Sequence, residues 1–379
     1  MNLKKYKHAI TAVCVLGSLA VAGIAGKDFY DFRHYEEVII PGEGVTSTFQ
    51  LSDYNENLKG TFGDTTVYVM EGEKEGGSFL VLGGTHPNEP SGHMAAITMI
   101  ESGKVEAGTV YVIPRTDNSA FTHNDAQEAS PHFFHIETES GTREFVFGSR
   151  ASNPIDQWPD PDVYTHQSGQ TLSGSEMRNI NRTYPGVKDG TLTEQISYAI
   201  TNMITMLDID MEMDLHEASP EYPTVNATVA HERAMDMASM GILELQMAGV
   251  DMSLEPSPVT LRGLTHRELG DHTNTLALLM ETGNPSQGRL HGATSEELII
   301  DGKDKFYEKA AELGYLYIPY DENGASLDMR IGRHLQGCVE YMKAFSDMYG
   351  AEKGEIIMTG IPSYEDLTSG GKTIGDYLN

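Results

Sequence analysis

Residues 78–90 read SFLVLGGTHPNEP. Ser78 to Leu82 is a short apolar run that stops at Gly83-Gly84, the pattern of a buried strand ending in a sharp turn. His86 and Glu89 follow, three positions apart. In a tight turn or the first turn of a helix, that spacing places both side chains on one side. Zinc accepts both donor types, imidazole nitrogen and carboxylate oxygen. A His-x-x-Glu pair alone is common by chance, and its ordinary meaning is a solvated surface pair. Its weight comes from the rest of the chain.

Working outward, Thr65–Met70 and Val110–Ile113 read as strands and Pro90–Ser102 as the helix between two of them. Further along, Ile196–Leu207, Ala234–Ala248 and Ile331–Tyr349 have helical periodicity. Ile209–Leu215 alternates with period two, Val225–Ala230 is a further candidate strand, and Thr275–Glu281 is an apolar strand ending in a carboxylate. The methionines of Ala234–Ala248 read as core. Strands alternating with helices imply an α/β sheet, and in such sheets ligands bind beyond the carboxyl ends of the strands. Three polar motifs stand directly after apolar strands: Gly83–Glu89, Asp214–Glu217 and Glu281–Asn284.

The second motif, Asp214-Leu215-His216-Glu217, adds a histidine at a strand end. Asp214 is a candidate to orient it, because a metal-bound imidazole usually donates its other N–H to a carboxylate or carbonyl. In the third, Glu281-Thr282-Gly283-Asn284-Pro285, a partly desolvated carboxylate has a pKa raised toward the range useful for proton transfer. Taken singly, each has a plain structural reading: a solvated histidine, a salt-bridged glutamate. Together, His86, Glu89 and His216 form the donor set of a catalytic zinc site with one open position, where water ionises near neutral pH. Glu281 then fits the general base.

Four motifs in order carry a resemblance. Gly-Gly-x-His-x-x-Glu (Gly83–Glu89), Asn-Arg-x-Tyr-Pro-Gly (Asn181–Gly186), Asp-Leu-His (Asp214–His216) and Glu-x-Gly (Glu281–Gly283) resemble the succinylglutamate desuccinylase/aspartoacylase branch of the zinc carboxypeptidase clan, over roughly residues 60–300. The resemblance implies a carboxypeptidase-like α/β fold, with a mixed central sheet flanked by helices. It implies one Zn²⁺ per chain held by His86, Glu89 and His216. It also implies a clamp for a substrate carboxylate in Asn181 and Arg182, and Glu281 as base. One position departs from the family. An arginine often stands seven residues before the Asn to polarise the scissile carbonyl, and here that position is Gly174. Arg178 and Arg115 are the candidate substitutes, though neither fits the pattern.

The organisation expected is an N-terminal signal peptide or membrane anchor (1–26), a connector (27–60), a catalytic domain (61–350) and a loosely structured C-terminal tail (351–379). Residues 120–175, rich in Pro, Gly, Ser, Asp and His, read as a long loop insertion wrapping a functional face. His123, His132, His135 and His166 fall there. Solvated loop histidines are the plain reading, and a second metal the sharper one. Trp158, Pro159, Pro161 and Tyr164 are candidates for an aromatic wall, with ordinary loop packing the simpler account. Lys4, Lys5 and Lys7 precede an apolar run, Ala9 to Gly26, in the layout of a secretory signal, with Ala20 and Ala22 as a cleavage site. The run is also about 18 residues long, close to what spans a bilayer. Cleaved signal and retained anchor both remain open, and either one exports the rest of the chain, to the outside or to an outward-facing anchored state.

Composition narrows the function further. The formal net charge of −30 excludes the basic footprint that nucleic-acid binding requires. The two cysteines, Cys14 and Cys338, support neither a disulfide framework nor a cysteine-based site. No Gly-x-Ser-x-Gly elbow, P-loop or dinucleotide fingerprint occurs. Asn181-Arg182-Thr183 and Asn226-Ala227-Thr228 are formal glycosylation triplets of the kind that arise by chance. The reading reached is hydrolysis of an amide next to a free carboxylate, in an N-acyl amino acid or short peptide. The alternatives are an exported metallocarboxypeptidase acting on peptides or cell-wall fragments, an esterase using the same site, and a non-catalytic metal-binding protein on the same fold.

Overall fold

The computed structural model describes residues 6–125 and 130–379. Lys4 and Lys5, and residues 126–129 of the long insertion, lie outside them. Residues up to 37 and from 38 onward form two separate units. The first is one helix, α1 (Lys7–Arg33), whose apolar side chains, among them Val13, Leu16, Leu19 and Ile24, are exposed. It is the one helix among the described residues that is long and apolar enough to cross a membrane.

The second unit begins with β1 (Ser47–Gln50), β2 (Thr66–Glu71), β3 (Lys74–Leu82), α2 (Pro90–Ser102) and β4 (Lys104–Ile113). Two hairpins follow, β5 (Phe133–Thr138) with β6 (Gly141–Val146), and β7 (Val163–Thr165) with β8 (Thr171–Ser173). The chain continues through α3 (Leu192–Leu207), β9 (Met211–Ala218), β10 (Ala227–Ala230), α4 (Met235–Met247), β11 (Ser253–Pro256), α5 (Thr265–His272) and β12 (Leu276–Gly283). It ends with α6 (Glu296–Asp301), α7 (Lys305–Glu312), α8 (Leu327–Lys353), β13 (Ile357–Thr359) and α9 (Tyr364–Thr368).

The architecture is mixed α/β. A central sheet runs in the order β1-β2-β4-β3-β9-β12-β10-β11, with β13 also paired to β4. Its middle strands β4, β3, β9 and β12 are mutually parallel; β1, β2 and β13 pair antiparallel with their neighbours, and β10 runs antiparallel to β12 and parallel to β11. Every residue of β9 is buried, as expected of a parallel strand covered on both faces. Met211, Met213 and Leu215 point into one core, built with α2, α4 and α8. Glu212, Asp214 and His216 alternate to the other face, where α3 and α5 add Ile196, Ile200 and Leu269 to Leu80, Leu82 and Ala277. The carboxyl ends of β3, β9 and β12 thus lie side by side.

The expected elements appear with shifted ends. Pro90 starts α2, as proline suits a first helical position. α3 begins at Leu192, four residues before the apolar periodicity, because Thr191 and Glu194 form a capping box. Two expectations are corrected. Residues 120–175 are not a structureless loop: both hairpins lie there, and Arg143 of β6 makes a two-pronged ion pair with the buried carboxylate of Glu101 at the end of α2. Residues 351–379 are not a loose tail. β13 joins the sheet, Ile374 and Leu378 are buried, and Glu101 accepts the Asn379 backbone N–H at 2.8 Å.

Candidate metal centre

Glycine lets the first motif form. Gly84 has φ +65°, and a Cβ there would lie 2.7 Å from the Pro114 carbonyl oxygen, so only glycine makes this turn beside β4. The chain then places His86 and, at the N-cap of α2, Glu89. Glu89 makes no capping bond to its own helix. Its carboxylate turns instead to the two histidines, with His86 Nδ1 2.8 Å from Oε1 and His216 Nδ1 2.9 Å from Oε2. All three residues are buried, and their donor atoms lie within 4.8 Å of one another.

The other nitrogens fix the tautomers. His86 Nε2 lies 2.9 Å from Asn179 Oδ1. That oxygen also accepts the Asn181 N–H, while Asn179 Nδ2 donates to Glu176, so the amide cannot turn round. His216 Nε2 lies 2.8 Å from Asp214 Oδ2, and Asp214 is held by the hydroxyls of Thr85 at 2.6 Å and of Thr265. Both Nε2 atoms therefore carry the proton, and both Nδ1 lone pairs face carboxylate oxygens, which are acceptors too. Acceptors facing acceptors need a cation between them: protons, or a metal ion.

The electrostatics agree. Burial lowers the pKa of His86 despite Glu89. Burial also opposes the charge on His216, but Asp214 and Glu89 raise its pKa well above the usual histidine value. For Glu89, burial is outweighed by the two imidazoles, which hold its carboxyl well below the usual range. Bonds of about 2.0–2.2 Å in a tetrahedron separate zinc's donors by about 3.4 Å. A small adjustment of this cluster meets that, so the residues fit the ion.

Glu281 sits directly across from His216 in the β9–β12 register. Its Oε2 is enclosed and has no hydrogen-bond partner. Burial raises its pKa to about 8, with His216 opposing and Glu89 adding to the shift. Arg182 is mostly buried, its Nη1 donating to the Asn181 carbonyl at 2.5 Å and its Nε 3.6 Å from Glu176. Arg150, Glu176, Tyr222 and Glu281 are the charged or ionisable groups that act on it. Asn181 is only 5% exposed; its Oδ1 accepts the Thr265 N–H at 2.9 Å and lies 2.9 Å from the Thr265 hydroxyl oxygen, whose proton goes to Asp214. Oδ1 thus ties Asn181 to the start of α5, while its Nδ2 lies 3.5 Å from His216 Nε2.

The two candidate polarisers are engaged elsewhere. Arg178 spends its donors on Asp160 and the Ser152 carbonyl, and Arg115 bonds Asn118 and lies over the Phe121 ring. Position 174 cannot hold an arginine, since a Cβ there would stand 1.5 Å from the Pro161 carbonyl oxygen. The guanidinium beside the centre is Arg150, whose Nη1 is 3.6 Å from Glu89 Oε1 and whose side chain is 43% exposed. It comes from the inserted segment just after β6, where Gly148 N–H donates to the Pro87 carbonyl at 3.3 Å. Sequence reading missed Arg150 and Asn179. The alternation of 133–146 around Glu139-Ser140-Gly141 was the available sign of a hairpin delivering Arg150.

Other candidates resolve into structure. His123 and His166 bond the carbonyls of Ala151 and Tyr184, and His135 bridges Glu144 and Glu296. Trp158 is 77% exposed while Tyr164 is buried, so they form no shared wall. His231, Glu232 and Asp271 also converge, but the Arg267 guanidinium occupies that cluster. Asn181 and Asn226 are both buried.

No family model and no curated protein matches the chain. Among solved structures, the chain is similar to a succinylglutamate desuccinylase/aspartoacylase from Rhodobacter sphaeroides, at 16% identity and TM-score 0.37, covering 60% of this chain and 54% of that one. It is similar to a metallo-carboxypeptidase from Burkholderia cenocepacia at 10% identity and TM-score 0.45, covering 81% and 66%. A third is the product-bound cell shape determinant protein Csd4 from Helicobacter pylori, at 12% identity and TM-score 0.40, covering 73% and 54%. The chain thus spans about half the length of the first and third.

Proposed function

We propose that the protein is a zinc-dependent hydrolase that cleaves an amide bond next to a free carboxylate, in an N-acyl amino acid or a short peptide. One observation carries this reading: two buried imidazoles, each with Nε2 tied to an oxygen acceptor, aim their Nδ1 atoms at one buried carboxylate. Zinc bound there supplies Lewis acidity and a water ionised near neutral pH.

The chain's own residues do the rest. Arg182 holds the substrate carboxylate, for which its planar donor fork is suited. Arg150 faces the negative charge that builds on the carbonyl oxygen as it is attacked. Glu281 receives the proton of the attacking water at its unpartnered Oε2 and delivers it to the departing nitrogen, as a carboxyl with a raised pKa can. Asn179 and Asp214 keep the two imidazoles oriented.

The purified protein is expected to contain about one zinc per chain and to hydrolyse N-acyl amino acids or peptides. Amidation of the substrate's terminal carboxylate should lower kcat/KM by about 10- to 100-fold, the worth of a charged hydrogen bond. Unchanged turnover of the amidated substrate would overturn the assignment of Arg182, and no zinc after reconstitution would overturn the hydrolase.

Export follows from α1 acting as a signal or anchor, and a chain facing outward meets peptides or cell-wall fragments. That favours the metallocarboxypeptidase form of the same chemistry. Alkaline extraction of membranes separates the two fates: retention in the pellet means an anchor, release of a shortened chain means a cleaved signal. A chain found at full length in the soluble cytoplasm refutes both.

A further inference from the structure

Behind the metal centre, on the α2–α8 face of the sheet, lies an ion pair that no step of the hydrolysis uses. Arg330 of α8 and Glu217 of β9 are both buried, with Arg330 Nη1 2.5 Å from Glu217 Oε1. Arg330 Nε donates to the Ala325 carbonyl at 3.1 Å and Nη2 to the Ile299 carbonyl. The guanidinium is thereby fixed to α6 and to the chain leading into α8. The other oxygen of Glu217 accepts the Ser91 N–H at 3.2 Å and Asn284 Nδ2 at 3.1 Å.

Ser91 lies in the first turn of α2, whose free N–H groups need acceptors. The Glu89 side chain is turned away to the histidines, so Glu217 takes its place as the cap. The Glu217 backbone N–H in turn donates to Glu89 Oε2 at 3.0 Å. The approach of the two elements is close: a Cβ on Gly92 would stand 2.3 Å from the Leu215 carbonyl oxygen.

We propose that Arg330 is a positioning residue for the metal centre: acting through Glu217, it locks the first turn of α2 onto the end of β9 and so sets Glu89 relative to His216. The proposal rests on the metal-site reading. A binding constellation must be held to within about 0.5 Å by residues that are themselves locked. Two of the three donors come from one side of this junction and the third from the other. A free guanidinium would fray; one tied to two carbonyls and a carboxylate does not. Lysine at 330 keeps the charge but cannot reach three separated acceptors in a fixed fork.

The test uses the purified full chain, with zinc affinity measured by competition against a chromophoric chelator. Co²⁺ absorption spectra report donor geometry, circular dichroism reports folding, and kcat and KM are taken separately. The variants are Arg330→Lys and the charge-balanced pair Glu217→Gln/Arg330→Met. Leu335→Ala, on the same helix but in the apolar core, is a control for general softening. Zinc affinity in the folded variants should fall about 10- to 100-fold, the Co²⁺ spectrum should change, and kcat should drop with KM within about twofold. Leu335→Ala should leave zinc affinity within about twofold of the wild type.

Folded Arg330→Lys protein with wild-type zinc affinity overturns the proposal, as does an equal loss in Leu335→Ala. The lysine variant decides the matter where the double variant does not fold. A wild-type chain that binds no zinc overturns the metal reading as well, and so separates that failure from this one.

Discussion

Glu281 of β12 and His216 of β9 are direct cross-strand partners in a parallel register that runs unbroken from Leu276 and Met211 to Gly283 and Ala218. The proposed base and a proposed metal donor are therefore fixed by the same backbone ladder. Glu281→Gln keeps the side-chain volume and removes the base. It should lower kcat by about 10²- to 10⁴-fold, with zinc content and thermal stability close to wild type. Stopped-assay kinetics alongside metal analysis check this. Near-wild-type turnover in the glutamine variant would show that Glu281 carries no proton.

Arg182 and Arg150 should separate kinetically. In the proposed reaction Arg182 grips the part of the substrate that does not react, so Arg182→Ala removes binding shared by ground and transition states. It should raise KM by about 10- to 100-fold, the worth of a charged hydrogen bond. In the same proposal Arg150 meets charge that exists only in the transition state, so Arg150→Ala should lower kcat by about 10²- to 10³-fold. Steady-state kinetics on one N-acyl amino acid distinguish them, and interchanged effects would reverse the two assignments.

How far the sequence reached follows from what each residue's role depends on. His216 and Glu281 lie near the carboxyl ends of β9 and β12, and His86 and Glu89 in the turn and helix N-cap that follow β3, where local pattern announces a strand and the place it stops. Three adjacent parallel strands then bring those ends together without further information. Asp214 was readable for the same reason, two residues before His216 on the same face. Arg150 was not, because its place depends on how the hairpin of residues 133–146 docks. That docking is set by the Arg143–Glu101 ion pair and by Gly148 meeting Pro87, contacts remote in sequence. Asn179 was hidden by its neighbours, since Asn181 and Arg182 look like the functional pair. Its role appears only when Asn181 N–H is seen to orient the Asn179 amide. Arg178 and Arg115 were guesses by residue type, and their donors prove to be spent on Asp160, Ser152 and Asn118.

Metal removal should cost stability as well as activity, because the centre leaves three buried polar groups facing one another. A ligand present at about 1,000 times its dissociation constant stabilises the fold that binds it by about 4 kcal/mol. Treatment with a chelator should lower the melting temperature, and zinc should restore it. His216→Ala should show neither the drop nor the recovery. An unchanged melting temperature in the chelated wild type means that the ion is not held by the folded chain.

The buried carboxyl of Asp117 gives a pH dependence independent of the metal centre. It caps the turn at Asn118–Thr122, accepting the Ala120 N–H at 3.2 Å and the Ser152 hydroxyl at 2.8 Å. Burial nevertheless raises its pKa from the ordinary 3.8 to about 7. Between those values the folded protein keeps a proton that the unfolded chain has released, so stability falls as pH rises from about 4 to 7 and is flat above. Asparagine here removes the titration and can keep every partner. Its oxygen still caps the turn, as asparagine does as well as aspartate, and its amide donates to Ser152. Ser152 then donates to Thr193, 2.9 Å away, which already donates to Gln157 at 2.8 Å. Asp117→Asn should therefore match wild type near pH 4 and exceed it at pH 8 by an amount on the order of a few kcal/mol, at about 1.4 kcal/mol per pKa unit. Urea unfolding at the two pH values measures the difference, and parallel stability curves for the two proteins would mean that Asp117 ionises in the folded state as readily as in water.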